Sequence, residues 1–301
     1  MSGRPSFGIL AYDYGREDIL NLAMHADRLG FDCLWFGEHY VVPQHFTSHH
    51  TTRHATETDG TNKDDAEIIA DAIRIYDPWF LLGAVAGATR RLKVGTAICI
   101  VPMNNPLLLA RATVTAHDIS GGRFLFGTGA GWLKEEFDAV GVPFAERGPR
   151  LDETIAILRK AWGGGYFSHQ GTHFSFDPLQ ISPHPVNIPL VCGGNTGPAL
   201  RRVAEVADAW INSAMVTLDE AVELRGIVER ERQARGTADR PFAYYIRPYT
   251  VDPDDVGSYV RAGFDNIVLW GPNCWPNKSS VSLDEKVAGL ERIARDLRVA
   301  P

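Results

Sequence analysis

The chain has 301 residues, of which 45% are hydrophobic, and carries a net charge of −7. That length builds a large core, either as two domains or as one α/β barrel. The 30 basic residues are scattered with no Lys/Arg tract, which argues against a nucleic-acid partner, because phosphate binding needs a basic face.

The elements alternate along the chain. "SFGILAY" predicts a strand, and "REDILNLAMHADRLG" a helix that stops at Gly30. "DCLWFGEH" is the second strand, and "PWFLLGAVAGAT" a helix that opens on Pro78. "LKVGTAICIV" is a strand, followed by the helix "NPLLLARATVTAHDISG" with Asn105 as cap and Pro106 at its first position. "RFLFGTG", "IPLVCGG", "DAWINSA", "PFAYYIRPY" and "DNIVLWG" are further strands, each with a helix after it. Eight strand–helix units in this length predict parallel pairing and a closed (β/α)8 TIM barrel spanning 1–301 as one domain. A doubly wound sheet is the alternative. Two segments interrupt the repeat: 40–77, a long polar insertion, and 164–188, a hairpin or loop. Both are expected to help cover the mouth at the C-terminal face, where long loops often serve as lids.

The four cysteines, Cys33, Cys99, Cys192 and Cys274, form no CxxC pair. Reduced thiols in a cytoplasmic protein are expected. No apolar run suits a signal sequence or a membrane span. Chemistry in solution on a small-molecule substrate is the default.

The stretch "GGRFLFGTGAGW" brings Gly127, Gly129 and Gly131 together after a strand. A dinucleotide fingerprint needs G-x-G-x-x-G in the first strand–helix turn. This run reads G-x-G-x-G and follows the fourth strand, so that reading is weak. The glycines either relieve crowding at a barrel strand end or admit a flat or phosphorylated ligand there. "PLVCGGNTGPALRR" has Gly193 and Gly194 directly before a helix, where backbone N–H groups and the helix dipole attract an anion. A tight turn is the plainer reading. Asn212 and Ser213 end the next strand as polar groups for the same anion.

Taken together, the segments 29–43, 92–112, 118–153 and 189–213 resemble the bacterial luciferase-like oxidoreductases, most closely the branch that uses the 5-deazaflavin coenzyme F420. The resemblance covers nearly the whole chain. It implies the same barrel, a homodimer, and a coenzyme lying across the mouth. The ring would rest on the third strand at Thr96, Ala97 and Ile98, with a non-prolyl cis peptide at Ala97–Ile98. Gly127, Thr128 and Gly129 would leave room for the chain linking ring to phosphate, and Gly193, Gly194 and Asn195 would take the phosphate. Glu38 and His39 close the second strand, where the family often reads Asp-His, and they are the catalytic candidates. His39 could donate a proton or hold charge at the ring's reacting edge; the plain alternative is a hydrogen-bonding histidine with no chemistry. Some relatives carry a catalytic Glu where this chain has Ala130, which disfavours sugar-phosphate oxidation.

The implied function is hydride transfer between coenzyme F420 and a small organic substrate. Alternatives are a monooxygenase using reduced FMN, a non-catalytic flavin-binding barrel and a metal-dependent hydrolase. The last needs His45, His49, His50 and His54 to form a metal site at i, i+4 spacing. Their threonine-rich setting, without a close carboxylate, favours a solvated or substrate-facing loop. Arg147, Arg150, Asp152 and Glu153 read as ion pairs and caps on an outer helix. Trp132 either walls the site or packs a helix. Of Tyr244, Tyr245 and Arg247, only alternate residues can face the lumen.

Overall fold

The computed structural model describes residues 4–11, 18–45, 47–48, 76–276 and 281–299. In the first half, strands β1 (Ser6–Ala11), β2 (Cys33–Phe36), β3 (Lys93–Thr96), β4 (Cys99–Ile100) and β5 (Phe124–Gly129) alternate with helices α1 (Asp18–Leu29), α2 (Pro78–Ala88) and α3 (Pro106–Ser120). Helices α4 (Lys134–Val140) and α5 (Arg147–Trp162) follow, then a hairpin of β6 (Tyr166–Gln170) and β7 (Ser175–Gln180). The second half runs β8 (Leu190–Gly193), α6 (Gly197–Val206), β9 (Ala209–Ile211), α7 (Leu218–Ala234), β10 (Ala243–Ile246), α8 (Pro253–Arg261), β11 (Asn266–Trp270) and α9 (Leu283–Asp296).

The main sheet is parallel throughout, in the order β3-β2-β1-β11-β10-β9-β8-β5-β4, and β3 also pairs with β5. That last pairing closes the barrel. β3 and β4 are two halves of one stave, parted at Ala97–Ile98, so eight staves enclose the lumen. All eight predicted strand–helix units are present.

The caps follow the sequence. Asn105 Oδ1 accepts from the N–H groups of Leu107 and Leu108, with Pro106 at the first helical position. Asp77 does the same for α2, and α7 and α9 open on full capping boxes, Thr217/Glu220 and Ser282/Glu285.

Side chains alternate across the staves and build two cores. The outer core lies between strands and helices and includes Phe36, Phe124, Phe126, Leu158 and Ile267. The inner one fills the lumen with Leu10, Cys33, Trp35, Leu125, Val191, Ile211, Tyr245 and Val268. Trp35 is its largest member, and a Cβ at Gly95 would come within 2.7 Å of its ring. Tyr245 packs edge-on against Trp35 at 5.1 Å, whereas Tyr244 turns outward to Trp210 and Phe242. All four cysteines are buried free thiols. No described helix is long and apolar enough to cross a membrane.

Segment 164–188 forms the predicted hairpin, with β6 and β7 antiparallel. It follows a helix, not a strand, so it leaves from the N-terminal end of the barrel. Its tip is held on the outside of α5, where Glu153 accepts from the N–H groups of His173 and Phe174 at 3.0 and 2.9 Å. The expectation that it covers the mouth therefore gives way to a place on the barrel's flank. Arg150 pairs with Glu146 at 2.9 Å, Asp152 pairs with Arg202, and Arg147 lies over the Phe144 ring. Arg150 and Asp152 thus take the ion-pair roles expected on that helix, while Arg147 rests on an aromatic ring. The insertion loops at the C-terminal face are those after β2 and β11; 49–75 and 277–280 lie outside the described residues.

Candidate active site at the barrel mouth

Alternation along each stave decides which predicted residues reach the lumen. On β2 and its extension, Cys33 and Trp35 point inward, which places His39 on the same side and Glu38 on the other. The same parity sends Gly127 and Gly129 inward from β5, Gly193 from β8, Ser213 after β9 and Arg247 after β10. Thr96, Thr128 and Asn212 face outward. Each is nearly or fully buried and bonded to protein: Thr96 Oγ1 donates to Gly127 O at 2.6 Å, Thr128 Oγ1 to Cys192 Sγ at 3.4 Å, and Asn212 Oδ1 accepts from Arg247 N at 2.8 Å.

The Ala97–Ile98 peptide is cis. Both side chains are only partly buried and pack on top of the lumen core. The surrounding glycines make room for this bend. A Cβ at Gly127 would meet Thr96 O at 1.7 Å, one at Gly129 would meet Ile98 Cδ1 at 2.6 Å, and one at Gly193 would meet Ile98 Cγ2 at 2.8 Å.

Glu38 supports the bend from behind. Its Oε2 accepts from Ile100 N at 2.5 Å, and it also bonds Cys99. Burial pushes its carboxyl up to about 7, against the pull of those two bonds, with Asp77 and Glu136 adding to the rise. Burial likewise raises the Cys99 thiol well above its ordinary range.

His39 stands at the rim. Its Nδ1 lies 3.1 Å from Glu136 Oε2, and its ring meets Trp132 edge-on at 6.2 Å. Glu136 comes from α4 and is 1% exposed. Sequence reading gave it no role. A weak signal was present: Glu136 stands between the apolar Leu133 and Phe137, so an acid falls among residues expected to face the core. The neighbouring Glu135 holds the start of the insertion, accepting from Thr47 N at 2.7 Å and Ser48 Oγ at 2.7 Å. These bonds outweigh the effect of burial and bring its carboxyl down to about 2.

The second half of the mouth has the features of an anion site. Gly194 adopts a φ of +125°, open to glycine but strained for other residues. Its carbonyl accepts from Trp210 Nε1 at 2.8 Å. Asn195 Oδ1 accepts from Ser213 N at 3.1 Å. Helix α6 begins two residues later with no side-chain capping bond from Thr196 and no acid in its first turn. Ser213 Oγ is buried without a hydrogen-bond partner among the described residues. Arg247 Nη1 donates to Ser213 O at 3.0 Å.

Of the four histidines in the insertion, only His45 is among the described residues. No group of three or more His, Cys, Asp or Glu among the described residues could hold a metal ion.

The sequence profile of the luciferase-like monooxygenases matches residues 7–265. The chain belongs to this family. It is 29% identical over 278 residues to the Mycobacterium tuberculosis protein Rv0953c, covering 90% of this chain and 91% of that one. Its fold is similar to that of a coenzyme F420-dependent tetrahydromethanopterin reductase from Methanopyrus kandleri, with a TM-score of 0.73 at 16% identity, across 98% of this chain and 99% of that one. It is also similar to the monooxygenase RslO1 from Streptomyces bottropensis, with a TM-score of 0.69 at 19% identity, across 97% and 98% of the two chains. At such identities the structural likeness speaks for the fold alone. The family is described as that of the luciferase-like monooxygenases.

Proposed function

We propose that this chain is an oxidoreductase that moves a hydride between coenzyme F420 and a small organic substrate. The observation that carries the reading is the lining of one half of the mouth. The partly buried Ala97 and Ile98 on top of the lumen core and the glycine strand ends lead to the uncapped start of α6, beside the Ser213 hydroxyl, which has no partner among the described residues. A planar ring needs a flat, backbone-lined support, and a phosphate needs N–H and O–H donors without a competing acid.

On this reading Ala97 and Ile98 support the ring, with Thr96 fixing the bend behind it. Gly193, Gly194, Asn195 and Ser213 hold the phosphate. Gly127 and Gly129 keep the strand end free of side chains along the linking chain, while Thr128 and Asn212 brace the walls from outside. The deazaflavin supplies an obligate hydride-carrying carbon. His39 holds or moves a proton at the rim through its imidazole, and Glu38 stabilises the bend from its buried side.

The likeness to a monooxygenase and the family's own description favour a second reading, in which reduced FMN and oxygen do the chemistry. Both coenzymes carry a planar ring and a phosphate, so both suit the same residues. Fluorescence titration of the apoprotein with coenzyme F420 and with FMN separates the two readings. Tight deazaflavin binding with weak FMN binding is expected. The reverse order moves the reading to the monooxygenase, and binding of neither overturns both.

A further inference from the structure

Among the described residues, the buried carboxyl group of Glu136 makes three hydrogen-bonding contacts, all to one stretch of chain. Its Oε2 faces His39 Nδ1 at 3.1 Å, and its Oε1 accepts from Tyr40 N at 2.8 Å and Val41 N at 3.4 Å. Backbone N–H groups only donate, so Oε1 serves as an acceptor. Two N–H donors on Oε1 favour the charged form of the group; a carboxylate has only acceptors to offer, so beside it the shared proton is assigned to Nδ1. The order along the chain matters as well. Glu136 grips His39, Tyr40 and Val41 in succession, so it sets the path by which the backbone leaves β2 and turns the ring at the same time.

We propose that Glu136 is the positioning residue of the site: it keeps the proton of His39 on Nδ1 and presents Nε2 to the mouth. In the neutral ring Nε2 then offers a lone pair, and in the charged ring it offers an N–H. Unrestrained neutral histidine favours the opposite tautomer, so the arrangement needs a partner that accepts at Nδ1. This inference rests on the reading of the mouth as a coenzyme site with His39 at its edge. Among the described residues, Glu136 from α4 faces the ring, while Glu38, the neighbour of His39 in the chain, is turned to Ile100 N on the other side.

The test is made first on the apoprotein. Long-range proton–nitrogen correlation spectra of ¹⁵N-histidine-labelled protein report which ring nitrogen carries the proton, with His39→Asn assigning the signal. The wild type is expected to show the Nδ1–H form. Glu136→Gln keeps an oxygen for the backbone N–H groups but turns an amide N–H toward Nδ1. It should therefore switch His39 to the Nε2–H form. With coenzyme bound, turnover should fall about 10²-fold, the scale of a lost proton-transfer group. An Nε2–H tautomer in the wild type overturns the proposal, as does an unchanged tautomer in a folded Glu136→Gln protein. If that variant does not fold, the wild-type tautomer alone decides. The spectra need no coenzyme, so failure to bind F420 or FMN would sink the functional reading and leave this result standing.

Discussion

Thr96 and Gly127 share one space. The Thr96 hydroxyl donates to the Gly127 carbonyl at 2.6 Å, while the Thr96 carbonyl sits 1.7 Å from where a Gly127 Cβ would be. The obstacle is backbone, which cannot turn aside as a flexible side chain can. Gly127→Ala should therefore destabilise the fold by more than about 4 kcal/mol, in the range reserved for severe steric changes. Gly83→Ala is the control, because among the described residues nothing lies within 4 Å of its Cβ position in α2. It should stabilise by about 0.5–1 kcal/mol through helix propensity. Urea unfolding of both variants checks the contrast; similar midpoints would contradict it.

Glu38 makes stability depend on pH. Its carboxyl titrates at about 7 in the folded chain against an ordinary 4.5. Between those values the unfolded chain has released the proton and the folded chain still holds it. The stabilising contribution is thus full below 4.5 and is lost as pH rises through 7. At about 1.4 kcal/mol per unit, the loss approaches roughly 3 kcal/mol by pH 8. Glu38→Gln keeps an acceptor for Ile100 N–H without the charge. It should raise the thermal midpoint over wild type at pH 8, and the gain should shrink toward pH 5. An equal gain at both pH values would show that Glu38 does not titrate in this way.

Arg123 pins the N-terminal end of the barrel. Its guanidinium donates to the carbonyls of Ala86, Thr89, Leu92 and Ser120 and to Thr89 Oγ1. These groups come from the ends of α2 and α3 and the turn before β3. A lysine ammonium cannot span that fork. Arg123→Lys should cost about 2 kcal/mol, leaving buried carbonyls unsatisfied. A denaturation midpoint unchanged from wild type would remove Arg123 from this role.

The two ends of the mouth should respond differently to substitution. His39→Ala should lower turnover more than it weakens coenzyme binding. Gly194→Val, at a φ of +125° with Ala199 Cβ 2.6 Å from its Cβ position, should weaken binding of the phosphate-bearing coenzyme. Titration and steady-state rates on both proteins separate the effects. Equal turnover in the first would take His39 out of the chemistry, and unchanged affinity in the second would move the phosphate elsewhere.

Much of the fold was legible because the barrel strands are short and apolar and several of the helices between them carry a cap or an opening proline readable in the sequence. Asn105, Pro78 and Pro106 mark their helices by local chemistry alone. Membership of the family was readable from the order of glycine-rich strand ends. Less legible was which side of a stave each polar residue takes. Thr96, Thr128, Asn212 and Glu38 stand beside lumen positions in sequence but face outward, and only the barrel's register separates them. Glu136 lay hidden for a different reason. Its apolar neighbours hint that it is buried, but its partners are 95 to 97 positions away, and no local pattern names them.

The most direct measurement is a crystal structure of the protein with coenzyme F420 bound. The account predicts the phosphate against Gly194, Asn195 and Ser213, the ring on Ala97–Ile98, and its reacting edge toward His39. A coenzyme bound away from the C-terminal mouth, or one whose phosphate lies far from the start of α6, would contradict it.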